Sequence, residues 1–113
     1  MAGSRSAGRK ERLMIVVRNV FRLRIGAARE AQELWKKEGH ALFTRLGYGP
    51  YRAFVDVTGP FYTFVLEGAY PSLSKLEEAM ESSMATPEWK GWYARFSPLI
   101  ESGYREILRE VEA

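Results

Sequence analysis

The segment Leu13–Ile25, LMIVVRNVFRLRI, constrains this chain more than any other part of it. It is rich in β-branched residues and alternates in polarity from Arg18 onward, the two marks of a strand. Ile15, Val17, Asn19, Phe21, Leu23 and Ile25 share one face. Met14, Val16, Arg18, Val20, Arg22 and Arg24 share the other. Both faces carry apolar side chains at their start, so each needs cover. The second face turns polar toward its end, as in a strand that leaves a core for water or a polar cavity.

The elements that follow supply the cover. Gly26 ends the strand, and Ala27–Leu46 reads as a helix stopped by Gly47, with Ala27, Ala31, Leu34, Trp35, Ala41, Leu42 and Leu46 as its apolar stripe. At 100° per residue, Glu38 and Arg45 fall within the same inward arc, and His40 points away. Gly49–Pro50 marks a turn. Tyr51–Thr58 and Phe61–Tyr70 then form a hairpin about Gly59–Pro60. Pro71–Ser72 opens a helix with Ser74-x-x-Glu77 as its capping box and Leu73, Leu76, Met80 and Met84 as its stripe. Thr86–Pro87 starts a second segment carrying Trp89, Trp92, Tyr93 and Phe96, and Tyr104–Val111 is a last strand. The order β-α-β-β-α-β predicts an α+β, ferredoxin-like domain: a four-stranded antiparallel sheet with helices on one face. The bare face carries apolar residues, which predicts a homodimer through the sheet face.

Charge narrows the function. The chain has 113 residues, with 17 Lys and Arg against 14 Asp and Glu, a formal charge of +3. Arg5, Arg9, Lys10 and Arg12 against Glu11 account for all of it, and the rest of the chain is neutral. Residues 1–12 read as a disordered basic tail, in part an expression remnant, and residues 13–112 as the domain. A neutral body argues against nucleic acid as a partner. Cysteine is absent and His40 is the sole histidine, which excludes thiolate metal sites, disulfides and a multi-histidine metal site within one chain, and no metal is expected. No apolar run approaches the roughly 20 residues of a membrane span. No membrane partner and no cofactor are expected, and a cytoplasmic location is.

Several residues carry chemistry. Asn19 interrupts an apolar strand face, and a buried amide without partners costs about 1–3 kcal/mol. It either bonds a neighbouring loop at the sheet margin or orients a ligand. Trp89, Trp92, Tyr93 and Phe96 are helix–sheet core or, alternatively, an aromatic pocket wall with the Tyr93 hydroxyl as its polar contact. Glu38 needs a positive or hydroxyl partner, or serves as a general base. His40 is a solvated surface histidine unless dimer packing covers it, in which case it is placed to move a proton. Arg18, Arg22, Arg24 and Arg52 form ion pairs, with Glu67 and Glu106 as partners, or grip an acidic ligand.

The strand Met14–Leu23, the hairpin Phe54–Phe64 and above all Thr86–Ile100, TPEWKGWYARFSPLI, resemble the dimeric α+β barrel superfamily, in particular its NIPSNAP-like and antibiotic-biosynthesis-monooxygenase-like groups. The resemblance spans roughly residues 13–112. It implies a homodimer whose two sheets curl into one dimeric α+β barrel, each protomer keeping a cavity between sheet and helices. Members include cofactor-independent oxygenases of aromatic polyketides and haem-degrading enzymes. The latter use a first-strand asparagine, matched here by Asn19, and a tryptophan, matched by Trp89 or Trp92. Their haem-ligating histidine has no counterpart after either tryptophan.

Two functions follow. In the first, the protein binds a small hydrophobic or aromatic ligand, or a protein partner, without catalysis, with Trp35, Trp89, Trp92, Phe96 and Arg22 around the ligand. In the alternative it is a cofactor-independent monooxygenase, or related enzyme, of an aromatic polyketide-like substrate. Asn19, Tyr93, His40 and Glu38 are then its catalytic residues.

Overall fold

The computed structural model describes residues 14–47 and 50–113. The expected basic tail, Leu13 and Gly49 of the expected turn lie outside the described residues. The elements are β1 (Ile15–Leu23), helix α1 over residues 28–45, β2 (Tyr51–Val55), β3 (Thr63–Tyr70), α2 (Leu73–Met84), α3 (Pro87–Phe96) and β4 (Ile100–Arg109). All neighbouring strands are antiparallel, in the order β2-β3-β1-β4. Alternation decides which face is buried. Ile15, Val17 and Leu23 of β1 join Phe64, Leu66 and Tyr70 of β3 and the apolar sides of the helices in one core.

The closed barrel expected from the family resemblance is overturned. Among the described residues the sheet is open and uncurled, with β2 and β4 as its edges. The face expected to need a second sheet is also more polar than its apolar positions implied. Arg18 bonds Glu67 at 3.0 Å and reaches Glu106 at 3.5 Å, and Arg52 reaches Glu67 at 3.5 Å. This row of charges crosses all four strands.

Helix α1 departs from the expected phase. Ala28–Leu34 and His40–Arg45 are α-helical, but Trp35–Gly39 between them is a π-helix, and the His40 N–H donates to the Trp35 carbonyl five residues back. The buried positions Ala31, Trp35, Gly39 and Phe43 therefore recur every four residues rather than every 3.6. The extra residue turns Ala41, Glu38 and Arg45 out to solvent. Gly39 is required by a close approach. A β-carbon there would lie 2.6 Å from Trp35 Cε3 and 2.9 Å from Trp92 Cζ2. Gly68 is similar, because a β-carbon on it would enter the Tyr51 ring.

The hairpin is shorter than its sequence pattern. Asp56 leaves the ladder and accepts the N–H groups of Phe61 at 2.9 Å and Thr63 at 3.2 Å, closing a loop in which Phe61 and Tyr62 have positive φ. Desolvation pushes the Asp56 pKa up, but these N–H donors outweigh it and leave the carboxyl below its ordinary value. The start of α2 also shifts. Ser72, not Ser74, is the cap, and its hydroxyl accepts the Lys75 N–H at 3.2 Å. At α3 the expected Thr86 cap is present and bonds the Trp89 N–H.

The two helical glycines should respond oppositely to alanine. Gly39→Ala should cost about 1–3 kcal/mol through overpacking. Gly91, on α3 with open space around its α-carbon, should gain about 0.5–1 kcal/mol from Gly91→Ala. Chemical denaturation of both variants checks the pair, and equal effects would count against the packing described.

Candidate functional site

A cavity of about 640 Å³ opens between α2, α3 and the β1–β4 half of the sheet. The long wall comes from α3. Residues at positions 89, 92, 93 and 96 fall on one side of a helix that the Thr86–Pro87 cap starts in this register. Their rings stack in sequence: Trp89 on Tyr93 at 5.5 Å between centroids, Trp89 on Trp92 at 5.8 Å, and Trp92 on Phe96 at 4.7 Å. Met80 and Met84 of α2 face them, and Val17, Asn19 and Phe21 of β1 form the floor. The cavity reaches solvent on the β4 side, where most strand residues are exposed.

Its polar end is one hydrogen bond. Register pairs Asn19 with Arg105 across β1 and β4, and Arg105 Nε donates to Asn19 Oδ1 at 2.7 Å. Arg105 Nη1 also lies 3.8 Å from Met80 Sδ. No carboxylate pairs with Arg105 among the described residues. Arg105 is the one charged side chain among the described lining residues. A second polar group is unanswered: Trp92 Nε1 is buried and, among the described residues, has no hydrogen-bond partner.

Five of the residues singled out in the sequence thus line one cavity: Asn19, Trp89, Trp92, Tyr93 and Phe96. The other four lie elsewhere. Trp35 is buried behind the wall, its ring edge-on to Phe43 at 5.1 Å and to Trp92 at 6.4 Å. Arg22 is on the opposite sheet face, 3.5 Å from Glu101 and bonded to the Pro60 carbonyl. His40 is exposed, its ring edge-on to Trp35 at 5.8 Å. Glu38 is exposed and forms a two-pronged pair with Arg95 of α3 at 2.6 and 2.7 Å. This bond holds the Glu38 carboxyl below its usual range and the Arg95 guanidinium above its own. Arg105 is not among the residues that the sequence singles out. The only trace of it in the sequence is an alternation that sets Arg105 beside Ile107 on one side of the last strand, and its meeting with Asn19 depends on register. Among the described residues, no His, Cys, Asp and Glu cluster could hold a metal ion, and no helix is long and apolar enough to cross a membrane.

A profile of the NIPSNAP family matches residues 17–113. The chain belongs to the NIPSNAP family. Among solved structures, a NIPSNAP family protein of Agrobacterium tumefaciens is 30% identical, with a TM-score of 0.80 over 88% of this chain and 87% of that one. A second NIPSNAP protein of that organism, of unknown function, is 26% identical with a TM-score of 0.77, covering 85% of this chain and 86% of its own. An antibiotic biosynthesis monooxygenase from Nitrosomonas europaea, described as putative, shares the fold at 15% identity and a TM-score of 0.68, covering 87% of this chain and 90% of its own. No curated protein matches the chain.

The Glu38–Arg95 pair ties α1 to α3 beside this NIPSNAP-family cavity and should be read out in acid. A carboxyl whose pKa is lowered on folding stabilises the fold above its unfolded value, and that stabilisation fades as pH falls through the folded value. Glu38→Gln should therefore melt slightly below the wild type at pH 7, with the gap closing once the pH passes below 4.5. Thermal melts across pH 2–7 measure it, and a gap that widens in acid would contradict the pairing.

Proposed function

We propose that this NIPSNAP-family chain binds a small hydrophobic or aromatic molecule in the cavity between α2, α3 and β1, without transforming it. One observation carries the reading: a stacked Trp–Trp–Phe wall lines a space of about 640 Å³ that the protein's own core leaves unfilled. Small-molecule sites are commonly concave, mostly apolar and roughly 300–1,000 Å³ in volume. A concave aromatic slot suits a small ligand better than a protein partner.

A second reading, a cofactor-independent monooxygenase of an aromatic polyketide-like substrate, is favoured by Asn19 and Tyr93 lining the same space. It needs a group to take a proton from the substrate. The described lining has hydroxyls but neither carboxylate nor imidazole, and Glu38 and His40 lie outside it. Binding therefore stands ahead of catalysis.

The homodimer is proposed through the sheet face opposite the helices, as two open sheets laid face to face. Phe54, Tyr104 and Leu108 are exposed there. The ion row then lies within the contact and aligns the copies. Light scattering should return about twice the chain mass of 12.9 kDa, and a monodisperse monomer would reject the pairing.

Ligand binding is tested with a neutral planar probe, 2-naphthamide, by calorimetry. Saturable binding is expected, and Met80→Trp, which fills part of the cavity, should weaken it by about tenfold or more. Circular dichroism confirms that the variant folds. Oxygen uptake with phenolic polyketides should be absent. Uptake that Tyr93→Phe abolishes would install the monooxygenase in place of the binding reading.

A further inference from the structure

We propose that the molecule held in this cavity is an anion, an apolar body with one negative charge at its end, and that Arg105 is the group that selects it. The inference rests on the cavity being a ligand site, as argued above, and adds the charge of the ligand.

Its basis is a contrast between the two faces of the sheet. On the face away from the helices, Arg18, Arg22 and Arg52 each meet a glutamate. On the cavity side, Arg105 meets a neutral amide and a thioether, and no acidic residue belongs to the described lining. The cavity thus carries one positive charge that the described residues leave uncompensated, against a wall of low polarity. Arg105 is itself exposed, so an ion pair formed there is sensitive to salt.

The amide is what turns a surface cation into a site. Asn19 stands on a central strand, on a face otherwise made of Ile15, Val17, Phe21 and Leu23, where an aliphatic residue would pack better. Its oxygen accepts from Arg105 Nε and so holds a long side chain in one conformation, against the loss of rotamer freedom. With Nε engaged, the terminal Nη groups stay free to donate to an anion, apart from the weak contact with Met80. Because the Asn19 oxygen faces the guanidinium, its Nδ2 is a further donor, with no partner among the described residues. Arginine N–H groups beside an amide N–H₂ suit a carboxylate or enolate oxygen. Asn19 is thus a positioning residue for Arg105 and a donor in its own right.

The test pairs two probes of nearly equal shape, 2-naphthoate and neutral 2-naphthamide, by calorimetry at low salt. The wild type should prefer the acid by about tenfold or more, as a charge-assisted hydrogen bond implies. The preference should shrink as salt is raised. Arg105→Gln should bring the ratio of affinities close to one, and Arg105→Lys should keep part of it. Asn19→Asp sets a carboxylate of equal size against the guanidinium and should also remove the preference, as an ion pair at this place in the cavity requires. Thermal melts show whether each variant folds, and the two positions give independent routes to the answer. Equal affinity of the two probes in the wild type would overturn the anion inference and leave the cavity reading intact. A preference that survives Arg105→Gln would overturn the role of Arg105. Failure of both probes to bind would bring down the cavity reading and the inference together.

Discussion

The contact between Trp92 and the π-helical turn of α1 governs where α3 can lie. Trp92 is almost wholly buried, and one side of its ring rests against Gly39 at a distance that no other residue type would allow. Phe43 and Trp35 meet it edge-on, at 5.3 and 6.4 Å between centroids. This seats α3 close to α1, with Trp92 as the hinge between core and cavity. Trp89 and Tyr93, stacked beyond it, are left facing the open space. Phe96 continues the stack downward and meets Phe21 on β1 edge-on at 5.3 Å. Aromatic pairs of this kind contribute about 0.5–1.5 kcal/mol each beyond the area they bury. A run of them also resists rearrangement, so the wall keeps its shape when the cavity is empty.

Electrostatics divides the sheet in two. On the face away from the helices, arginines and glutamates from all four strands neutralise one another in a row exposed to solvent, where single pairs contribute little to stability. Their greater effect is on register, because a shift of one residue would turn each partner to the opposite face. The cavity face has the reverse character. It is apolar except at one end, where β4 brings Arg105 across from Asn19.

Much of the architecture was legible in the sequence because it depends on short-range periodicity. The first strand, the element order, the Thr86–Pro87 cap and the spacing of the α3 aromatics all follow from neighbours a few residues apart. Where the structure departs from local periodicity, specific contacts are the cause. A regular period carried through α1 sets Glu38 inward, and one extra residue in a π-turn is invisible in polarity alone. The hairpin strands end sooner than their polarity pattern, since Asp56 captures N–H groups that the ladder would otherwise use. The barrel comes with the family resemblance alone, and no local spacing in the sequence reports whether a sheet curls. Polarity likewise does not show that Arg18, Arg52, Glu67 and Glu106 meet in one row on the uncovered face.

By itself, the sequence determined a four-stranded α+β domain, an aromatic helix packed on its sheet, a polar residue on an apolar strand, and the absence of thiol chemistry. These are properties of residue type and local spacing. Only the tertiary structure decided that Asn19 and Tyr93 share a cavity, that Glu38 and His40 stand outside it, and that Arg105 is its charged end. Asn19 and Arg105 are 86 positions apart. Strand register brings them together, and register is set by the packing of the whole sheet against its helices, not by any segment alone.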